Sequence, residues 1–249
     1  MFLFSLGATA QSDEQYLVFE TALLTPAPAQ TVQFEKGLAT HNKKYHGEGP
    51  YASRVYWISS GPNTGSYHWN MGPMPWSAMD SRPDAEEEHA ADWNSNVLPY
   101  MIPGSGAQSY WKFNTEMSRM TKDFTLKNLL VDYYDIKRFK MSDAMKLVEK
   151  VAKVNLEKFP DESYGIYTNE FPSTQEGRDM AVISFFDKMA WLGEEAKFSE
   201  KYDDVHGQGS FEQFIKDWGA VTEGGESELW IFRPDLSGIN GEVKGNTPK

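Results

Sequence analysis

The run Ser66-Tyr67-His68-Trp69-Asn70-Met71-Gly72-Pro73-Met74-Pro75-Trp76 is the most informative in the chain, because its closing Met74-Pro75-Trp76 returns as Met189-Ala190-Trp191 beyond a second apolar strand. Two further marks recur in the same order. Asp92-Trp93 and Asp217-Trp218 each fall inside a helical pattern, and Trp111-Lys112-Phe113 and Trp230-Ile231-Phe232 each fall inside a late strand pattern. Three tryptophan marks in register argue for a duplicated unit.

Working outward, residues 16–23 predict a strand that stops at Thr25-Pro26-Ala27-Pro28. Phe34, Leu38, His41 and Tyr45 recur at helical spacing and predict a helix over 30–45. Strands over 52–59 and 65–71 follow, joined by the turn-forming Gly61-Pro62-Asn63-Thr64-Gly65. Pro83 and the acids after it open a second helix, where the dipole favours negative charge; it presents His89, Trp93 and Val97 on one face. A strand over 108–116 closes the unit.

The order then begins again. A strand over 128–136 leads to a helix over 142–159 that presents Met145, Val148, Ala152, Asn155 and Phe159. Strands over 164–170 and 180–186, a polar insertion over 197–209, a helix over 210–221 and a strand over 226–233 complete it. The Gly-, Asn-, Pro- and Lys-rich residues 235–249 predict a disordered tail.

Two β-α-β-β-α-β units in one chain resemble the dimeric α/β-barrel superfamily, the ferredoxin-like barrels that include the antibiotic-biosynthesis monooxygenase, EthD and NIPSNAP-like families. The resemblance covers residues 16 to 233 and rests on topology. It implies an α+β fold, with ferredoxin-like repeats at 16–117 and 128–233 fused into one pseudo-dimeric α/β barrel. Haem-degrading members of the superfamily place an Asn on the first strand and a Trp and then a His on later helical segments. Here Glu20 and Asp132 lie on the first strands and His89 precedes Trp93, so haem degradation is not implied. Cofactor-independent monooxygenases of the superfamily need a dry aromatic pocket and a base, which Tyr67, Trp69, Trp76, Trp93 and His68 are suited to supply.

Composition narrows the partners. The chain has 249 residues, with 40% hydrophobic and 14% aromatic residues, enough for a sizeable core. Its 24 Lys plus Arg against 36 Asp plus Glu give a net charge of -12, which repels phosphate backbones and anionic membrane surfaces. Nucleic acid is therefore not an expected partner. Without cysteine there are no disulfides, thiolate metal sites or cysteine nucleophiles. Met1-Phe2-Leu3-Phe4-Ser5-Leu6-Gly7-Ala8-Thr9-Ala10-Gln11 reads as the remnant of a secretory signal over residues 1–10, ending in Ala-x-Ala. Its basic n-region is missing, which points to a truncated start or a late-assigned initiator. The expectation is an exported protein, periplasmic or secreted, without membrane insertion; a homo-oligomer stays open.

Comparing the two units locates the chemistry. His68 and Asn70 fall opposite Ile183 and Phe185, His89 opposite Phe214, and His41 opposite Asn155. The first unit thus places imidazoles where the second is mostly apolar. Strand alternation sets His68 and Asn70 on one face and Tyr67, Trp69 and Met71 on the other. His68 is the candidate base, since an imidazole titrates near neutrality. Asn70, His41, Tyr45, His89, Trp93, Trp69 and Glu20 are the candidate ligand-binding residues. Glu20 and Asp132 could line a polar barrel interior with Lys112 and Asn114, or face solvent.

No metal site is expected, because the His-Glu-x-x-His spacing does not occur. P-loop, Gly-x-Gly-x-x-Gly and Gly-x-Ser-x-Gly patterns are also missing, and no cofactor is assigned. The leading expectation is a barrel protein that binds a small apolar or aromatic molecule in a first-repeat pocket holding His68, Asn70, His41 and His89. The alternatives are a cofactor-independent monooxygenase-like enzyme acting on an aromatic compound and a non-catalytic scaffold.

Overall fold

The computed structural model describes residues 16–82, 87–173 and 176–245. The signal-like residues 1–10 and the opening of the second helix at Pro83 lie outside them. In chain order the first repeat contains β1 (Leu17–Leu24), α1 (Thr31–Tyr45), β2 (Ser53–Ser60), β3 (Tyr67–Pro75), α2 (Glu87–Asn96) and β4 (Ala107–Phe113). After the short β5 (Phe124–Thr125), the second contains β6 (Asn128–Ile136), α3 (Met141–Lys158), β7 (Ser163–Asn169), β8 (Met180–Phe186), α4 (Phe198–His206), α5 (Ser210–Val221) and β9 (Thr222–Phe232). A final β10 (Glu242–Val243) pairs with β5.

The eight long strands close into one antiparallel barrel in the order β1-β3-β2-β9-β6-β8-β7-β4. Each repeat contributes four neighbouring strands, β4-β1-β3-β2 and β9-β6-β8-β7, the order of a ferredoxin-like sheet. The halves meet along two seams, Tyr56↔Phe232 between β2 and β9 and Trp111↔Asn169 between β4 and β7. Closure leaves no long sheet edge unpaired. The fold is the α+β pseudo-dimeric barrel expected from the repeated tryptophans.

Strand alternation divides the core into three layers. Residues pointing inward, among them Tyr56, Trp111, Leu129, Val131, Tyr133 and Trp230, fill the barrel. Outward residues of the first repeat, including Val18, Val55, Tyr67, Trp69 and Met71, pack with Phe34 and Leu38 of α1 and Val97 after α2. Outward residues of the second, Ile136, Tyr164, Ile166 and Met180, pack with Leu147 and Val148 of α3 and Val221 of α5.

Three elements depart from the sequence expectation. First, β3 continues to Pro75 with Met74 fully buried, because a one-residue bulge opposite Val18 and Glu20 carries the strand past Gly72-Pro73. Second, the polar insertion holds α4, whose Tyr202 is buried among Phe198, Phe211 and Phe214. Third, the described part of the stretch after Asp235 is anchored: Leu236 and Ser237 are buried, and the Ser237 hydroxyl accepts from the Val55 amide at 2.9 Å, while residues 246–249 of the expected tail lie outside the described residues. A few buried anchors outweigh its loop-like composition. Among the described residues no helix is long and apolar enough to cross a membrane.

Candidate functional site

A cleft of about 320 Å³ lies in the first repeat, between the two helices and the outer face of the sheet. Alternation along the strands turns Glu20 and Ala22 of β1, Trp69 of β3 and Gln108 of β4 towards it. Helical spacing brings His41 of α1 and His89 and Trp93 of α2 over them. His46, one residue beyond α1, completes the wall.

The helices cross closely. A Cβ on Gly37 would stand 1.7 Å from the Asn96 carbonyl oxygen, so only glycine permits this approach. The end of α1 is held as firmly: Asn42 donates through Nδ2 to the Leu236 carbonyl at 2.7 Å and accepts from Trp69 Nε1 at 3.0 Å. The ordered segment after Asp235 is thus part of the scaffold under the site.

Three imidazoles meet in this cleft. His41 Nδ1 lies 2.7 Å from Asp92 Oδ2, and Asp92 also accepts from Asn96 Nδ2 at 2.9 Å. Burial pushes the His41 imidazole down, more than Asp92 raises it, so the ring is neutral with its proton on Nδ1, facing the carboxylate. Burial also raises the Asp92 carboxyl, but its bonds to His41 and Asn96 outweigh this and hold it below the ordinary range. His46 Nδ1 donates to the Tyr51 carbonyl at 3.0 Å, and its Nε2 sits 3.2 Å from His89 Nε2. Trp93 stands edge-on to His41 at 5.2 Å between ring centres, and Trp69 edge-on to His46 at 5.3 Å. Tyr45 packs edge-on against His89 at 4.9 Å while its hydroxyl bonds the Glu88 carbonyl, so it braces the cluster from outside.

On the opposite wall Glu20, 3% exposed, pairs with Arg82 Nη1 at 2.5 Å and accepts from Gln108 Nε2 at 2.5 Å. The charge is buried with its partners, as burial requires. It faces the cleft and not the barrel interior, and Asp132 likewise points outward to Ser227 Oγ. Lys112 lies over Tyr16, and Asn114 caps the Met117 amide. Glu20 and Asp132 thus take outward positions, while the inward face is mainly Tyr, Trp and Phe and carries one buried acid among the described residues, Glu228, which accepts from Trp230 Nε1 at 2.8 Å and lies 3.5 Å from Arg178.

His68 and Asn70 point into the barrel, on the far side of β3 from His41 and His89, so the expected single pocket is two sites divided by the sheet. The barrel cavity measures only about 50 Å³ and is lined by both repeats, including Leu129, Tyr167 and Trp230. That is room for water-sized occupants and not for an aromatic ring. His68 stacks on Trp230 at 4.1 Å between ring centres, and its Nδ1 makes no hydrogen bond among the described residues. Burial, with the Arg178 guanidinium adding repulsion, pushes its imidazole down to about 3. A ring so hard to protonate is a weak base, which removes the reason for assigning it that role.

The sequence reading found His41, Tyr45, His89, Trp93, Trp69 and Glu20 separately, and the fold gathers them at one place. It missed His46, which lies five residues after His41, where the helix ends and periodicity says nothing; the His46-Gly47-Glu48 spacing was the signal that could have found it. In the second repeat Tyr134, Phe214 and Trp218 pack together where His89 and Trp93 stand in the first, and a cleft of about 470 Å³ without an imidazole lies beside Asn155, Leu130 and Ser184.

No family model and no curated protein matches the sequence. Solved structures share the fold. A monooxygenase-like protein from Fusobacterium nucleatum superposes with a TM-score of 0.60 at 8% identity, over 95% of this chain and 99% of that one. One from Lactobacillus acidophilus gives 0.55 at 13% identity, over 93% and 100%. A chlorite dismutase from Candidatus Nitrospira defluvii gives 0.54 at 8% identity, over 89% and 93%. At these identities the likeness is one of fold: a dimeric α/β barrel of two ferredoxin-like units in one chain.

Proposed function

We propose that this barrel protein has a monooxygenase-like role and binds a small apolar or aromatic molecule in the first-repeat cleft. The observation that carries the reading is the cleft itself. It is large enough for a ring, walled by Trp69, Trp93 and Ala22, and holds a few converging polar groups, the usual anatomy of a ligand site. The second-repeat cleft beside Asn155 and Ser184 holds no imidazole. The barrel architecture shared with monooxygenase-like proteins favours oxidation over a purely structural role.

A thermal-shift screen of aromatic metabolites tests the binding reading. A compound that stabilises the wild type is expected to lose its effect on Trp93→Ala, which removes a cleft wall, and to keep it on His68→Phe, which alters the barrel. Equal stabilisation of the wild type and Trp93→Ala would overturn the assignment. Oxygen consumption with the same compound separates an oxygenase from a binder.

Export is proposed on the apolar run ending at Ala8-Thr9-Ala10. Protein recovered from the periplasm or medium of an expressing bacterium should begin at Gln11. Protein retained in the cytosol with Met1 in place would contradict it.

A further inference from the structure

We infer that His41, His46 and His89 form a binding site for one divalent transition-metal ion. The inference rests on the cleft being the functional site and names what that site holds.

The ligand atoms come first. The imidazole nitrogens that face one another lie within 4.8 Å, and His46 Nε2 and His89 Nε2 are 3.2 Å apart. Two nitrogens bound tetrahedrally at ordinary zinc distances stand about 3.3 Å apart. One edge of the site is thus already at the spacing a metal requires. The widest pair needs to close by no more than about 1.5 Å to reach the same spacing, a movement within reach of side-chain rotation on Cβ.

The protons are also arranged for metal binding. A backbone carbonyl can only accept, so Tyr51 fixes the His46 proton on Nδ1 and leaves Nε2 with its lone pair. The Asp92 carboxylate does the same for His41. His41 Nε2 is then a buried acceptor, and among the described residues nothing donates to it. A carboxylate or carbonyl behind an imidazole is the usual outer partner of a metal-bound histidine; it fixes the tautomer and strengthens the donor. A simple hydrogen bond between His46 and His89 would account for one contact, but it would leave the His41 lone pair buried without a partner.

The donor set selects the ion. Three imidazole nitrogens suit Zn²⁺, Cu²⁺, Ni²⁺ or Fe²⁺ and not Mg²⁺ or Ca²⁺, which prefer oxygen. Three protein ligands at the wall of an open cleft leave a coordination position for water or substrate, the pattern of a reactive centre and not of a closed structural one.

The test is metal titration of untagged, chelator-treated protein with Zn²⁺ by calorimetry and with Co²⁺ by visible absorption. The expected result is one equivalent bound, with cobalt bands of a low-coordinate centre. His89→Ala, which replaces a half-buried side chain, should remove the binding; His46→Ala should do so too, its folding checked by circular dichroism. Asp92→Asn should weaken binding 10- to 100-fold. His206→Ala, at the one histidine outside both the cleft and the barrel interior, should leave it unchanged. Wild type that binds no metal, or His89→Ala that binds as well as wild type, overturns the inference. Because ligand stabilisation of metal-free protein is measured separately, loss of metal binding with retention of the aromatic ligand would leave the cleft assignment standing.

Discussion

His68 links the barrel interior to the pH dependence of stability. Its folded imidazole is pushed down to about 3, whereas the unfolded chain takes up the proton near 6.5. The unfolded state therefore binds more protons between these values, and stability falls as pH drops from about 6.5 towards 3. By pH 4 the loss from this group is on the order of 3 kcal/mol. In urea unfolding, His68→Phe should lose less stability than the wild type between pH 6.5 and 4; parallel curves would contradict this account. Arg82→Met should cost roughly 3 kcal/mol, because Glu20 then keeps a buried charge without its ion partner. At this scale the alternation of Tyr67, His68, Trp69 and Asn70 was legible, since a period of two needs only the sequence. What the sequence did not show was which face met the helices and which the barrel. That choice is made by the partner strands and divides His68 from His41 and His89.

At the scale of elements, the contact of α1 with α2 sets the width of the cleft. Gly37→Ala would put a methyl group against the Asn96 carbonyl, force the helices apart and cost roughly 2 kcal/mol. It should also weaken Zn²⁺ binding, since His41 and His89 sit on the two helices being separated. A lower melting temperature with unchanged metal affinity would mean that the crossing does not position the imidazoles. Truncation after Asp235 removes Leu236 and Ser237, which bind Asn42 and the Val55 amide. It should destabilise the fold in thermal unfolding, whereas removal of a disordered tail would have no effect. Helices with a continuous apolar stripe and strands between clear turns were readable from periodicity. The run of β3 beyond Gly72-Pro73, the short α4 and the segment after Asp235 were not, because each depends on a few long-range anchors such as Met74, Tyr202 and Leu236.

For the whole molecule, duplication explains both the architecture and the placement of the site. Each repeat has an aromatic inner face that is covered only when the other completes the barrel, so residues 16–117 expressed alone should not form a soluble monomer. Size-exclusion chromatography of that fragment checks this; a stable monomer would show that the halves do not depend on each other. The recurring tryptophans made the two-unit plan legible, because they fill equivalent framework positions. The asymmetry between the units could be read only in part, since His46 lies beyond the periodic helix and its meeting with His89 depends on how α2 is laid across α1. In the asymmetry proposed for the two units, the first-repeat cleft holds a metal ion on three imidazoles. Anomalous diffraction at the zinc edge from crystals grown with stoichiometric Zn²⁺ tests it most directly. A single strong peak between His41, His46 and His89 is predicted; a peak elsewhere, or none, would contradict it.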